Sequence, residues 1–376
     1  MRTSIVRLEA ALFLAAALHT TYAAPPFYDH WQSFGLADGL PSEKVFCIRA
    51  TEDSVWAGTD RGLARYTAGR WKTYTTADGL AHRAVLSIAE DPETKDLWIG
   101  TAGGLSRFSA GRFDTFTQLN SGLSNDFVHA VTVLRGEVWV GTMAGLSRYN
   151  IAQHRWTLYD ETNTPMHEVW CYSVTNSQKK VYVAVWGGGL LEYDVAQNKW
   201  KDYNDPDGQM EIDLFRDDGL LTDVVAGVAC DSADRVWVSS YFGLSVYDGR
   251  RWRTYMDHDS PLASNFINLV TSRGEVGWMA TDNGLSALDR GNWWTYRRDP
   301  DTGAGLVTWT PANGPAERFA TETIFPHNYL LGVDFQGDDI WVATEKGVAR
   351  GTRGHVSSAE ADSKGPCASP NMEGGR

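Results

Sequence analysis

The sequence predicts an all-β protein, a seven-bladed β-propeller with four-stranded blades, its ring closed by the N-terminal strand completing the last blade. Three observations predict it. A hairpin motif recurs seven times, undisturbed copies are spaced 41 to 43 residues apart, and the last copy lacks a strand that stands at the other end of the chain. A period near 40 to 45 with four strands per unit is that of a propeller blade, whereas solenoids of this period are helical and no amphipathic helix is visible.

The copies read "VWAGTDRGLARY" from Val55, "LWIGTAGGLSRF" from Leu97, "VWVGTMAGLSRY" from Val138, "VYVAVWGGGLLEY" from Val181, "VWVSSYFGLSVY" from Val236, "GWMATDNGLSAL" from Gly277 and "IWVATEKGVARG" from Ile340. Period-two alternation makes each arm a strand. Gly62, Gly104, Gly145, Gly189, Gly243, Gly284 and Gly347 stand where a tight turn asks for positive φ. An aromatic pair follows (Trp71/Tyr74, Phe113/Phe116, Trp156/Tyr159, Trp200/Tyr203, Trp252/Tyr255, Trp293/Tyr296), then a connector such as "ADGL", then a strand leading into the next hairpin. In blade one the strands are A ("VFCIRA"), B ("VWAGT"), C ("LARYT") and D ("WKTYT").

After Arg350 no aromatic pair follows, but "WQSF" at Trp31 to Phe34 has the D pattern and is followed by "ADGL". An N-terminal strand D closes the ring and removes exposed sheet edges. The ring is expected over 31–350, after a linker over 24–30 and before a polar, disordered tail over 351–376. The Trp residues repeated in strand B (Trp56, Trp98, Trp139, Trp237, Trp278, Trp341, with Tyr182 as substitute) read as packing between blades rather than as a binding surface.

Residues 1–23 combine Arg2 and Arg7, the apolar run Ala10 to Leu18 and a small-x-small end at Thr21 to Ala23. They read as a secretory signal, the apolar run being too short to span a bilayer. Cleavage removes two Arg and one Glu and takes the net charge from -13 to -14. That charge, without a basic block, disfavours nucleic acid and anionic membranes as partners. The expected place is the periplasm or outside the cell. Cys47 and Cys171 occupy one strand-A position where other blades carry Ser87, Ala130 and Gly227, so a small residue is wanted there. Blades one and four are too far apart for a disulfide, and Cys230 is out of step with Cys171.

The succession G-L-x-x-x-x-V, then L-W-I-G-T-x-x-G-L, then an aromatic pair resembles the two-component regulator propeller repeat over residues 31–350. The resemblance implies ligand or partner binding in the periplasm, as in the sensor parts of hybrid histidine kinases. The sequence departs from that architecture in continuing after the repeat with a polar stretch. It is also distantly similar to streptogramin lyases, seven-bladed enzymes, although their catalytic motif has no residue-by-residue match here.

Strand parity puts the B–C turns and the D–A connectors on one face. Two connectors are enlarged, over 204–218 and 297–325, and long loops on one face of a rigid scaffold are where binding concentrates. Turn tips of blades three to five carry Met143, Trp186, Tyr241 and Phe242, a candidate partner-docking patch. Glu43, Arg83, Asp126, His167, Asp223, Asn265 and Asn328, one per blade, are expected as a polar ligand-binding ring at the channel mouth, with His82, His129, Glu168 and His327 nearby. Asp126, His167 and Asp223 have the chemistry of transition-metal ligands. Asp205 to Gly208 and Asp299 to Gly303, with Glu211 and Asp213, have that of a calcium loop without its twelve-residue spacing. No cofactor is predicted beyond these two metal candidates.

The leading expectation is a non-catalytic propeller that binds a small ligand or a periplasmic protein through this face, as sensor or accessory subunit. A lyase or metal-assisted enzyme with its site at the channel mouth is the rival. A structural module of a larger envelope complex is the third.

Overall fold

The structure is a computed structural model that describes residues 27–208 and 215–354. The signal-like segment, Glu211, Asp213, Cys367 and residues 355–376 of the tail lie outside the described residues.

In blade one, strands A to D are Val45–Ala50, Val55–Thr59, Gly62–Thr67 and Arg70–Tyr74, hydrogen-bonded in that order. Blades two to five repeat this antiparallel order over 85–116, 128–159, 171–203 and 225–255. The B–C turns close as the glycine pattern requires. Gly145 has φ 87°, and a Cβ there would collide with the Tyr159 carbonyl oxygen.

Blade seven is assembled from both chain ends. Its A, B and C strands are Leu330–Gln336, Asp339–Thr344 and Gly347–Arg353, and its D strand is Tyr28–Phe34, which pairs Trp31 with Gly351 and Gln32 with Arg350. The closing pair runs three residues further at each end than the sequence reading placed it. Tyr28 is the reason: it is 1% exposed and lies edge-on to Trp278, so this residue of the expected linker is already core.

Blade six departs from the expectation of a long loop over one face. Strand D extends over Asn292–Arg298, and the insertion folds into two further strands, Gly305–Thr310 and Glu317–Thr321, making a six-stranded sheet. The insertion alternates like any strand: Val307 and Trp309 are buried, and Trp309 stacks on Trp294 at 5.8 Å. It therefore widens the rim of the ring and stays away from the channel.

The core is a series of apolar layers between successive blades. Strand B is buried from the residue before its aromatic onward, with Trp98, Trp139 and Trp341 at 0% exposure and Trp56 at 3%. Directly across from four of these tryptophans strand C places Arg65, Arg107, Arg148 and Arg350. Each guanidinium lies 5.0 to 5.8 Å from the indole centre and pairs with Asp53, Asp96, Glu137 or Asp339 respectively. Blade four inverts the signs: Tyr182 replaces Trp, Glu192 replaces Arg, and Lys180 replaces the acid, 2.5 Å from Glu192.

Cys47, Cys171 and Cys230 are free thiols. A Cβ on Gly58 would fall 2.5 Å from the Cys47 sulfur, so this place is tight, but Cys171 does not share it: the register gives Cys171 the place of Val45, and Ser173 stands at the Cys47 position. Burial pushes all three thiols up to about 12.

Candidate functional site

The seven A strands stand around a central channel of about 620 Å³. Each contains one irregularity at the same place. The register against strand B shifts between Val45 and Cys47, and likewise at 85/87, 128/130, 171/173, 225/227, 267/269 and 330/332. A bulge leaves one residue out of the pleat and re-aims its side chain. The seven bulged residues, Phe46, Leu86, His129, Tyr172, Ala226, Asn268 and Leu331, all line the channel. The fold thus selects one side chain per blade for the channel wall by a backbone irregularity that period-two reading cannot show.

Above this ring, backbone hydrogen bonds tie the B–C turn to the start of strand A in six blades, among them Met143 N–H to the Phe127 carbonyl at 3.3 Å, Trp186 to Trp170 at 2.9 Å and Asp282 to Phe266 at 3.1 Å. Turn tips, strand starts and bulges therefore converge. On blades three to six they bring six rings into one chain of contacts. Centroid distances are 4.8 Å for Phe127–His129, 4.4 Å for His129–Tyr172, 4.9 Å for Tyr172–Trp186, 5.0 Å for Trp186–Tyr241 and 3.8 Å for Tyr241–Phe266. All six are half-buried, as a channel lip requires. Trp170 extends the aromatic surface outward at 43% exposure.

Electrostatics divide the mouth. Burial depresses the His129 imidazole to about 4, so it is neutral at pH 7, and its Nε2 is buried with no hydrogen-bond partner among the described residues. Burial, reinforced by the neighbouring Tyr172 and Tyr329 hydroxyls, pushes Tyr241 up to about 12. Blades seven and one carry Glu345 and Asp60, with Lys44 paired to Glu345 at 3.2 Å, and Asp282 stands beside Phe266 on blade six. The aromatic half offers flat apolar surface with neutral polar atoms.

The polar ring expected at the mouth has another task. Asp126, Asp223, Asn265 and Asn328 each accept, through Oδ1, the backbone N–H of the residue two beyond the second aromatic of the preceding strand D: Gln118, Asp205, Asp257 and Arg298, at 2.7 to 2.8 Å. They staple the connectors. Three positions ahead of strand A a second set closes a turn onto the strand start: His82 Nδ1 accepts from Ala84 N–H at 3.1 Å, and His327 Nδ1 from Tyr329 N–H at 3.0 Å, as Ser42 and Thr222 do elsewhere. Glu43 and Arg83 are exposed.

In blade four the register corrects the reading of His167. The carbonyl bonded by Gly145 N–H is that of Val169, the counterpart of Asp126 bonded by Gly104 and of Asp223 bonded by Gly189. His167 lies two residues earlier, exposed, and Glu168 packs over Gly187 and Gly188. The ring is therefore not polar throughout, and Asp126, His167 and Asp223 do not come together. Among the described residues no three His, Cys, Asp or Glu form a group that could hold a metal ion. Asp205 and Asp299 accept the backbone N–H of Asp207 and Asp301, an Asx turn in each case.

Of the docking candidates, Trp186 and Tyr241 belong to the aromatic chain, while Met143 and Phe242 are half-buried neighbours on the same turns. Phe127, Tyr172, Phe266 and Asn268 were missed by sequence reasoning. Their signal was their place, one before or one after the first residue of strand A, where the repeat is least uniform.

No protein-family profile and no curated protein matches the sequence. Solved structures do. The extracellular domain of a protein described as a hybrid two-component system from B. thetaiotaomicron aligns with TM-score 0.67 and 18% identity, over 86% of this chain and 42% of that one. A second such domain from B. thetaiotaomicron aligns at 0.62 and 17%, over 86% and 40%. The chain thus spans less than half the length of these two. Virginiamycin B lyase from Staphylococcus aureus aligns at 0.60 and 13%, over 86% of this chain and 99% of that one. No helix among the described residues is long and apolar enough to cross a membrane. The protein is a seven-bladed β-propeller, and its structural neighbours are extracellular domains of two-component system proteins and streptogramin lyase-type propellers.

Proposed function

We propose that this chain is an extracytoplasmic, non-catalytic propeller that binds a small, uncharged, ring-bearing ligand in the aromatic half of the channel mouth, as a sensor or accessory subunit. The observation that carries the proposal is the chain of five contacts linking six rings from Phe127 to Phe266. A concave, largely preformed apolar surface with a few convergent polar groups is the usual form of a small-molecule site. Here the Asn268 amide and the Tyr172 and Tyr241 hydroxyls supply the polar groups, and Glu345, Lys44 and Asp60 stand on other blades. The secretion-like N-terminus and the extracellular neighbours support the compartment.

His129 serves the ligand reading better than the lyase reading. A general base is most effective with a pKa near the working pH, and an imidazole held at about 4 has little drive to take a proton. The test is a thermal-shift screen of uncharged ring compounds on the wild-type chain, Tyr241→Ser and Tyr172→Ser. A ligand at about 100 times its Kd adds about 2.7 kcal/mol of stability. Stabilisation lost in both variants supports the site, and stabilisation retained in both refutes its placement.

A further inference from the structure

The pairing of a strand-B tryptophan with a strand-C arginine is interrupted in blade five, and the interruption leaves space. The residue across from Trp237 is Val246. In blade six the same position is Ala287, but Trp294 on strand D lies across from it and is buried at 8% exposure. In blade five Arg235, directly ahead of strand B, covers part of that place, its guanidinium 5.5 Å from the Trp237 ring centre. A cavity of about 240 Å³ opens there between blades five and six. Trp237, Val246, Leu288 and Tyr255 give it apolar walls.

Its remaining wall is cationic, in a protein of net charge -13. Arg235, Arg251, Arg253 and Arg290 all line it. Two of these are committed. Arg235 Nε donates to Asp231 at 2.6 Å, whose Oδ2 also accepts from Trp237 Nε1 at 3.0 Å. Arg290 pairs with Glu275 at 3.3 Å and Asp289 at 3.8 Å. Arg251, directly ahead of strand D, and Arg253, within it, both line the cavity and have no carboxylate within ion-pair distance among the described residues. Asp248 is the one acid lining the cavity, and its Oδ1 accepts the N–H groups of Arg250 and Arg251 in its own turn.

We propose that this cavity is a second binding site, for a small organic anion whose oxyanion head sits between Arg251 and Arg253 and whose apolar body lies on Val246 and Leu288. Guanidinium groups suit carboxylate and phosphate heads, and the cavity has room for about one ring beyond the head. The site is independent of the channel mouth.

The test titrates sodium benzoate, sodium acetate and inorganic phosphate into the full chain at constant ionic strength set with sodium chloride, read by calorimetry. Benzoate is expected to bind saturably and at least about tenfold more tightly than acetate or phosphate, the equivalent of burying about two methylenes. Arg251→Gln with Arg253→Gln should weaken benzoate at least about tenfold, one tenfold step being about 1.4 kcal/mol. Val246→Arg installs the side chain that four other blades carry and should abolish binding. Circular dichroism establishes folding; were Val246→Arg unfolded, the double Gln variant at two exposed positions still decides. No saturable benzoate signal, or double-variant affinity within twofold of wild type, overturns the site. Equal affinities for benzoate, acetate and phosphate overturn the role given to the apolar walls.

Discussion

Blade four offers a direct test of how the blades are held together. In blade three, Arg148 pairs with Glu137 at 2.9 Å and donates to the Tyr159 hydroxyl at 3.1 Å. In blade four, Glu192 pairs with Lys180 and accepts from the Tyr203 hydroxyl at 2.8 Å. The two networks occupy equivalent positions with donors and acceptors exchanged. Glu192→Gln removes the ion pair and the charged acceptor. A hydrogen bond to a charged group contributes about 1.5 to 3 kcal/mol and a half-exposed ion pair up to about 1, so a loss of about 2 to 3 kcal/mol is expected. At roughly 2 °C per kcal/mol for a chain of this size, the melting temperature should fall by about 4 to 6 °C. Glu192→Arg sets two cations face to face and should cost about 3 to 5 kcal/mol. Adding Lys180→Glu recreates the blade-three network, with the Tyr203 hydroxyl now accepting, and should recover all but about 1 kcal/mol. Urea unfolding of the four proteins in the cycle measures the coupling. A coupling under about 0.5 kcal/mol would mean that the inverted signs are incidental, and the reasoning fails.

Further expectations concern closure and pH. Trp31→Ala in the closing strand removes an indole packed edge-on to Phe325 at 5.4 Å and should cost about 3 to 5 kcal/mol in urea unfolding; a loss under about 1 would show that the N-terminal strand does not hold the ring. The His129 imidazole is depressed by burial to about 4, so the unfolded chain binds its proton first as pH falls from about 6.5. Stability should drop between pH 6.5 and 4, and His129→Phe should flatten that part of the curve. Asp205 acts with the opposite sign. Burial, with Asp207 and Asp223 adding, raises it to about 6 against the hydrogen bonds from Asp207 and Gly208, so the fold prefers it protonated. Its contribution is present below about pH 4 and is lost as pH rises to about 6, and Asp205→Asn should remove this slope from melts across that window. A variant curve parallel to wild type would refute either assignment.

Where sequence and structure part company, the cause is the same each time. The insertion over 297–325 was read as a loop because it lies in a connector, yet Val307, Trp309 and Phe319 alternate well enough to build strands once Trp294 gives them a surface. The polar residues before strand A were read as ligands because polar rings at channel mouths bind. Their oxygens are spent on Gln118, Asp205, Asp257 and Arg298 because a connector leaving a strand must satisfy its N–H groups somewhere. The acid and arginine that frame four of the strand-B tryptophans are legible in the letters, but they pair across strands rather than along one.

By itself the sequence determined the blade count, the strand order, the turns and the closure by the N-terminal strand, because a repeat states the same local physics seven times and its one split copy can be completed in only one way. It also determined that the tryptophans of strand B are core. Tertiary structure alone decided which side chains face the channel, because a bulge in strand A shifts parity by one residue and leaves no mark in composition. It alone placed six rings from four blades in contact, since rings at a turn tip, a strand start and a bulge are distant along the chain and adjacent only when the blades are set around a common axis.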